Sequence, residues 1–306
     1  MGLEQAAARL ERSLQGEVRR AEPMARHTTF RIGGPADLMV TCETLADLNE
    51  ALKVLAEEDT PWTIVGKGSN LLVGDTGYRG VILRLGREFA SHSVDGTRIK
   101  AGASCILAYV VRDAFSHGLG GLEFAVGIPG SVGGAIAMNA GTRGVWMDSV
   151  VDSVTLHVPG QGLQRVRGDE IAWGYRSSGL TRKGIVIVET VLRLSEADKT
   201  RIRIAMEASL KRRKSTQPFG VPSAGSVFTN PEGDSAGRLI EAAGLKGLQL
   251  GGARISQVHA NFIVNEGGAT AADVVGLIRK AQMTVRDMYG IELTPEIRFL
   301  GSFDEP

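Results

Sequence analysis

Nine consecutive residues, Gly127-Ile128-Pro129-Gly130-Ser131-Val132-Gly133-Gly134-Ala135, constrain this chain more than any other stretch. Four are glycine, one is proline, one is serine, and the rest are apolar. A segment this poor in side chains leaves much bare backbone. It suits either an irregular buried crossover or a cradle in which peptide N–H groups approach a pyrophosphate or a flat ring system closely. Asn139-Ala140-Gly141 extends the same small-residue surface. A second glycine loop, Gly66-Lys67-Gly68-Ser69-Asn70, leaves the end of an expected strand at 62–65. Its glycines let successive N–H groups turn toward an anion, or simply make a strand-end turn. The third glycine and following helix of a dinucleotide fingerprint are missing, and the loop is not a P-loop. The chain holds 40 glycines in 306 residues, nearly twice the average usage of about 7% and without a collagen-like period.

The remaining pattern is α+β. A charged N-terminal helix is followed by an expected strand–turn–strand over 29–40, turning at Gly33-Gly34-Pro35. Thr44 opens a helix with Asp47 as capping-box partner, and Leu45, Leu48, Leu52 and Leu55 form its apolar stripe. A strand at 81–85, a short strand from 97 and a helix over 104–116 ended by His117-Gly118 come next. Residues 150–158 and 184–194 alternate apolar and polar side chains, as half-exposed antiparallel strands do. Residues 198–214 read as a helix with a basic, solvated end at Lys211 to Lys214, favourable to its dipole. The proline-bearing loop 215–223 marks a boundary. Beyond it come a helix over 235–243 closed by Gly244, strands at 252–255 and 261–264, and a terminal strand at 296–300. Between the last two, a long helix runs from Thr270, capped with Asp273, to Gly290. Val274, Leu277, Ala281, Val285 and Met288 form its buried stripe.

Composition narrows the function classes. Hydrophobic residues make up 43% and charged residues 23%, with 35 Lys plus Arg against 34 Asp plus Glu. A nucleic-acid or membrane-surface partner usually leaves a basic excess, and none is present. Cys42 and Cys105 form no metal spacing or redox motif, so no metal site is expected, and two lone thiols suit a reducing compartment. No signal-peptide pattern or membrane-length apolar run occurs. These features point to a cytoplasmic protein with a small-molecule ligand or a protein partner; a monomer is the expected state.

Other motifs are modest alone. Gly174-Tyr175-Arg176-Ser177-Ser178 is a loop whose arginine either pairs with a substrate carboxylate or lies on the surface. Ser226, in Ser223-Ala224-Gly225-Ser226-Val227-Phe228-Thr229-Asn230-Pro231, has no nucleophile elbow and no histidine partner, which argues against a hydrolase. It either satisfies a turn or donates a proton to a strong base. His259-Ala260-Asn261 opens an apolar strand, and Glu296 lies in Pro295-Glu296-Ile297-Arg298.

Taken in order, these segments and Thr29-Phe30-Arg31-Ile32-Gly33-Gly34 resemble the UDP-N-acetylenolpyruvoylglucosamine reductase family over essentially the whole chain. The short connection after Arg176 resembles its type II branch, which lacks a tyrosine-bearing substrate loop. The resemblance implies an FAD-binding fold of the vanillyl-alcohol-oxidase / p-cresol methylhydroxylase type. Two α+β subdomains, 1–84 (with 293–306 returning to it) and 85–214, would precede a C-terminal α+β substrate-binding domain, 215–292. It implies NADPH-dependent, FAD-mediated reduction of UDP-N-acetylglucosamine enolpyruvate to UDP-N-acetylmuramate, in the peptidoglycan synthesis that underlies cell shape and division.

Carried over residue by residue, the resemblance assigns catalysis to Arg176, Ser226 and Glu296. Arg176 would stabilise an enolate, Ser226 would protonate carbon, and Glu296 would organise the site. FAD would be held by Gly66, Gly68, Ser69, Asn70 and Leu71, and by Gly127, Ile128, Pro129, Gly130, Ser131, Gly133, Gly134, Ala135 and Asn139. Tyr175, Gln217, Asn230, Lys246, His259 and Asn261 would bind substrate. The first glycine loop carries no histidine, so the FAD is expected to be noncovalent. Thr229 stands where the family often has lysine, with a modest effect expected on substrate binding. The rival readings are another FAD-dependent oxidase or dehydrogenase of the same fold, and a flavin-free nucleotide-sugar binding protein.

Overall fold

The computed structural model of the chain describes residues 2–142, 144–182 and 184–303. The last three residues of the segment expected to return to the first subdomain, 304–306, lie outside the described residues. Backbone proximity divides the chain into two compact units. One comprises Met1–Val18, Val40–Gly66 and Ile82–Arg212, and the other Arg19–Met39, Lys67–Val81 and Arg213–Pro306. A four-stranded sheet runs in the order Val18–Pro23, Pro35–Cys42, Tyr78–Leu85, Trp62–Ile64. Among the described residues no helix is long and apolar enough to cross a membrane.

The first unit is built on a five-stranded antiparallel sheet in the order Gly162–Arg167, Val151–Val158, Val186–Arg193, Arg98–Gly102, His92–Asp95. Alternation, reset by a register shift between Val151 and Ser153, puts Val151, Val154 and Leu156 of one strand and Leu192 of its neighbour into the core. There they meet Val110 and Val111 of the helix Leu107–Ser116 and Val132 and Ile136 of the helix Val132–Ala137. In the same unit the helix Leu45–Glu57 starts at Thr44, whose hydroxyl accepts from Asp47 N. The expected capping box is incomplete, because the Asp47 carboxylate accepts instead from Gln15 N and Glu43 N at 3.1 and 2.9 Å. Its buried face is Leu48, Ala51, Val54 and Leu55, so Leu45 and Leu52 sit at the margin. Cys42 and Cys105 are both buried and free. Burial, reinforced by Asp47, pushes the Cys42 thiol up to about 12, so it stays protonated and inert.

The second unit packs the long helix Ala271–Tyr289 on a three-stranded antiparallel sheet, Gln249–Leu250, Ala253–Ile255, Ile263–Asn265. Here the capping box is complete. Thr270 Oγ1 accepts from Asp273 N at 3.1 Å, and Asp273 Oδ2 accepts from Thr270 N at 2.9 Å. Asp75, distant in sequence, takes the next two N–H groups, those of Ala271 and Ala272, at 2.8 and 3.0 Å. Gly290 ends the helix in the left-handed conformation, φ 69°. Val274, Leu277, Ala281 and Val285 are buried as expected, but Met288 is 55% exposed because the stripe drifts off the core face at the last turn. The expected strand at 29–32 is absent. Thr28 to Arg31 form a turn, Arg31 N donating to Thr28 O, with Arg31 at φ 56°. The terminal strand Arg298–Leu300 pairs in parallel with Leu71–Val73.

His157, on the strand Val151–Val158, is 7% exposed, and its Nε2 bonds Asn49 Oδ1 at 2.7 Å. Its Nδ1 is buried without a hydrogen-bond partner. Burial therefore lowers its pKa and favours the neutral ring. A group whose folded pKa lies below its unfolded value, about 6.5, adds stability that is fully present above that pH and is lost as pH falls through the folded value. Wild-type stability, read as a urea midpoint, should decline as pH falls below about 6.5, and His157→Gln should remove part of that decline. A gap between the two proteins that stays constant with pH would exclude the effect.

Candidate functional site

Of the residues singled out by sequence, the first unit carries Gly66, Gly127 to Ala135, Asn139, Tyr175 and Arg176. The second carries Gly68 to Leu71, Gln217, Ser226, Asn230, Lys246, His259, Asn261 and Glu296.

In the first unit the nine-residue glycine segment runs into the helix Val132–Ala137. Gly127 and Gly130 have φ of 75° and 132°, and Ser131 caps the helix by accepting from Gly134 N. Close packing explains two glycines. A Cβ on Gly133 would lie 2.8 Å from Ala103 Cβ and 3.0 Å from Ala103 O, and one on Gly66 would lie 2.6 Å from Ser131 Oγ. Among the described residues, the N–H groups of Gly127, Gly130 and Ser131 meet no protein acceptor. Bare, left-handed backbone with donors to spare fits an anionic or flat ligand such as a dinucleotide.

The arginine loop is a tight turn. Gly174 and Ser177 exchange both backbone hydrogen bonds, at 2.9 and 3.2 Å, and Arg176 has φ 56°. Left-handed backbone is uncommon for a side-chain-bearing residue and is held only where surroundings dictate it. Arg176 Nη1 donates to Gly141 O at 3.1 Å, and its guanidinium lies 5.4 Å from the centre of the Tyr175 ring, itself edge-on to Trp146. Ser178, fully buried, ties the turn to the glycine helix by donating to Ala137 O at 3.1 Å. Asn139 is 2% exposed, and its side chain engages Asp148 and the Gly174 carbonyl.

In the second unit Gly68 has φ 61°, and a Cβ there would lie 2.2 Å from His27 O. The turn at Thr28 to Arg31 links two motifs. Thr29 N donates to Gly68 O at 3.2 Å, and Thr29 Oγ1 to Ser223 O at 2.7 Å. Ser226 stands on a short extended segment bordered on both sides. It bridges Phe262, while Glu296 N donates to Val227 O at 2.7 Å and Phe228 bridges Pro295. Ser226 and Glu296 thus come from adjacent antiparallel segments. Asn70 joins them, its Nδ2 donating to Glu296 O at 3.1 Å.

The expected substrate residues divide into two groups. Asn261, 4% exposed, clamps the serine segment, accepting from Phe228 N at 2.9 Å and donating to Phe228 O at 2.8 Å. His259 accepts from Asn261 N at 3.2 Å. Burial, and then the Lys246 charge, lower its pKa against the opposing pull of Glu241. Lys246 pairs with Glu241 at 2.6 Å, and Asn230 Oδ1 accepts from Ala236 N at the start of the helix Ala236–Ala242. Gln217 lines a cavity of about 370 Å³ with Lys214, Phe219, Arg254, Ser256 and Glu266. Sequence reasoning missed Thr29, Ser178 and Asp148 as supports. Each acts through side-chain hydrogen bonds to a segment outside its own motif, and the motif does not reveal the partner.

Comparison with known proteins gives consistent matches. Residues 217–300 match the family model "UDP-N-acetylenolpyruvoylglucosamine reductase, C-terminal domain", and residues 36–164 the model "FAD binding domain". The chain is 46% identical over 293 residues to the UDP-N-acetylenolpyruvoylglucosamine reductase of Heliobacterium modesticaldum, covering 95% of this chain and 93% of that one. It is 41% identical over 287 residues to that of Bacillus subtilis, covering 94% and 95%. The crystal structure of the Thermus caldophilus UDP-N-acetylenolpyruvylglucosamine reductase superposes with a TM-score of 0.82 at 37% identity, over 94% of this chain and 99% of that one.

The clamp on Phe228 is open to test. Asn261→Ala leaves a buried N–H and C=O without partners, each worth about 1–3 kcal/mol. The urea midpoint should therefore report a loss of roughly 2–6 kcal/mol. A loss within error would show that solvent replaces the amide.

Proposed function

The chain belongs to the UDP-N-acetylenolpyruvoylglucosamine reductase family, and on that premise we propose how its residues share the reaction. The protein is an FAD-dependent oxidoreductase of peptidoglycan precursor synthesis that reduces UDP-N-acetylglucosamine enolpyruvate to UDP-N-acetylmuramate, with NADPH as reductant. The α+β, vanillyl-alcohol-oxidase-type architecture accompanies that membership. When bound, FAD supplies the hydride carrier between NADPH and substrate that no side chain can provide.

In our reading FAD is held, noncovalently, by Gly66, Gly68, Ser69, Asn70 and Leu71 and by the segment Gly127 to Ala135. The uncommitted N–H groups of Gly127, Gly130 and Ser131 support this. Subdomains 1–84 and 85–214 form the cofactor part, and 215–292 the substrate part. Arg176 pairs with the substrate carboxylate through its planar, always-charged fork. Hydride addition at the terminal carbon of the enolpyruvyl group places negative charge on the neighbouring carbon and its carboxylate. Arg176 stabilises that charge. Ser226 Oγ–H then gives its proton to the carbon, and the resulting alkoxide recovers a proton from solvent. A hydroxyl is a weak acid, but an enolate carbon is a strong base, so the transfer is downhill in character. Glu296 organises Ser226 from the adjoining segment.

One observation carries these roles: Glu296 N bonds the residue next to Ser226, within a segment that Asn261 immobilises. Gln217, Asn230, Lys246 and His259 are assigned to the UDP-sugar, supported for Gln217 by its cavity. The protein acts in the cytoplasm as a monomer on a small molecule, a reading supported by its balanced charge.

An anaerobic titration tests the whole. The flavin band should bleach with NADPH and return on addition of the enolpyruvyl substrate alone. Recovery only with oxygen would favour an oxidase, and the absence of a band would favour a binding protein. Ser226→Ala should leave bleaching by NADPH intact and slow reoxidation by substrate roughly 10²–10⁴-fold. Equal slowing of both half-reactions would reassign Ser226 to positioning the flavin. Alanine at Gln217, Asn230 or Lys246 should raise the substrate KM, and unchanged constants would remove them from the site.

A further inference from the structure

The turn that presents Arg176 is held from below by two side chains: Asn139, which the family resemblance assigns to FAD, and Asp148, which has no assigned role. Asn139 is 2% exposed and adopts φ 41°, a conformation that asparagine tolerates better than most residues. Its amide is committed on every side. Nδ2 donates to Asp148 Oδ2 at 3.1 Å and to Gly174 O at 3.2 Å, while Oδ1 accepts from Asp148 N at 3.0 Å. Gly174 opens the turn closed by Ser177, and Arg176 lies inside it.

An asparagine amide has two faces of similar shape and opposite polarity. Flipped, Asn139 would set its own oxygen against the Gly174 carbonyl, and the turn would lose its anchor. The Asp148 carboxylate excludes that orientation, because it accepts only and must face Nδ2. Its backbone N–H, which donates only, faces Oδ1 for the same reason. Asp148 itself sits on the helical turn Met147–Ser149, whose Met147 is fully buried and whose Met147 N bonds Ala140 O at 3.0 Å. The reference point is therefore rigid.

We propose that Asp148 is a positioning residue for the reduction, acting through Asn139 to fix the Gly174–Ser177 turn and so the guanidinium of Arg176. This rests on the reading that Arg176 meets the substrate carboxylate. That contact is made only with the enolpyruvyl substrate, so the role belongs to the half-reaction in which that substrate reoxidises the flavin. Misplacing a group by about 1 Å from a remote site can cost on the order of 10²-fold.

Single-turnover kinetics on the flavin-loaded enzyme separates the possibilities. Asp148→Ala should leave the flavin content and its reduction by NADPH unchanged and slow reoxidation by the enolpyruvyl substrate roughly 10- to 100-fold. Asp148→Asn keeps an acceptor oxygen on the same stem and should restore most of the rate. In an Arg176→Ala background, Asp148→Ala should add nothing. Should the alanine variant not fold, Asp148→Glu keeps the charge, shifts the carboxylate by one methylene and should slow the same half-reaction alone.

Wild-type reoxidation in the Asp148 variants beside a slowed Arg176→Ala enzyme overturns the positioning role alone. Equal slowing of both half-reactions, an Asp148→Asn enzyme as slow as the alanine variant, or additive effects with Arg176→Ala overturn it as well. Wild-type reoxidation in Arg176→Ala removes the carboxylate assignment and this role together.

Discussion

A buried asparagine amide holding a loop where no strand reaches it is the interaction on which this structure most depends. Asn261 bonds both backbone groups of Phe228, Asn139 holds Gly174, and the half-buried Asn70 holds Glu296 in the same way. Asn265 completes the set, donating to Phe30 O at 3.0 Å and accepting from Gly267 N and Ala269 N. The cause is a matter of satisfying polar groups. The segments that carry Ser226, Arg176, Glu296 and the turn at Thr28 to Arg31 are irregular, so their peptide groups have no continuous ladder to join. Buried N–H and C=O groups must nevertheless be paired. A primary amide offers donor and acceptor together on a short stem, and so stands in for a neighbouring strand.

Glycine is the complement of that arrangement. Where asparagine pins a loop, glycine lets another loop come close. Gly133 lies against Ala103 and Gly68 against the His27 carbonyl at distances that no Cβ would permit. Among the described residues, the N–H groups of Gly127, Gly130 and Ser131 meanwhile meet no protein acceptor.

This division bears on the chemistry. Reduction of an enol ether bearing a carboxylate needs a fixed positive charge and a proton donor with a fixed line of approach. Arg176 lies in a turn strained at φ 56° and tied to Gly141, Asn139 and Ala137 by separate bonds. Ser226 lies on a segment bordered by Phe262 on one side and Glu296 on the other. In the proposed roles, both residues stand on backbone fixed by its own bonds, which would not have to reorganise as charge develops.

Much of the fold was legible before any coordinates. Thr270 with Asp273, Ser235, Gly244 and Gly290 mark helix ends through contacts spanning three or four residues, and alternation over Val151–Val158 and Val186–Arg193 marks half-buried strands. The glycine loops and the order of the motifs pointed to the family that the comparisons show. Tertiary structure alone decided the rest. It turned the expected strand at 29–32 into a turn, since Thr29 bonds both Gly68 and Ser223. It paired Leu71–Val73 with Arg298–Leu300, set Asp75 on a helix far along the chain, and left Met288 in solvent. The physical reason is range. Caps, periodicity and turn chemistry act between near neighbours and are written in order, whereas a side chain that satisfies a remote loop depends on which surfaces meet after the chain has folded.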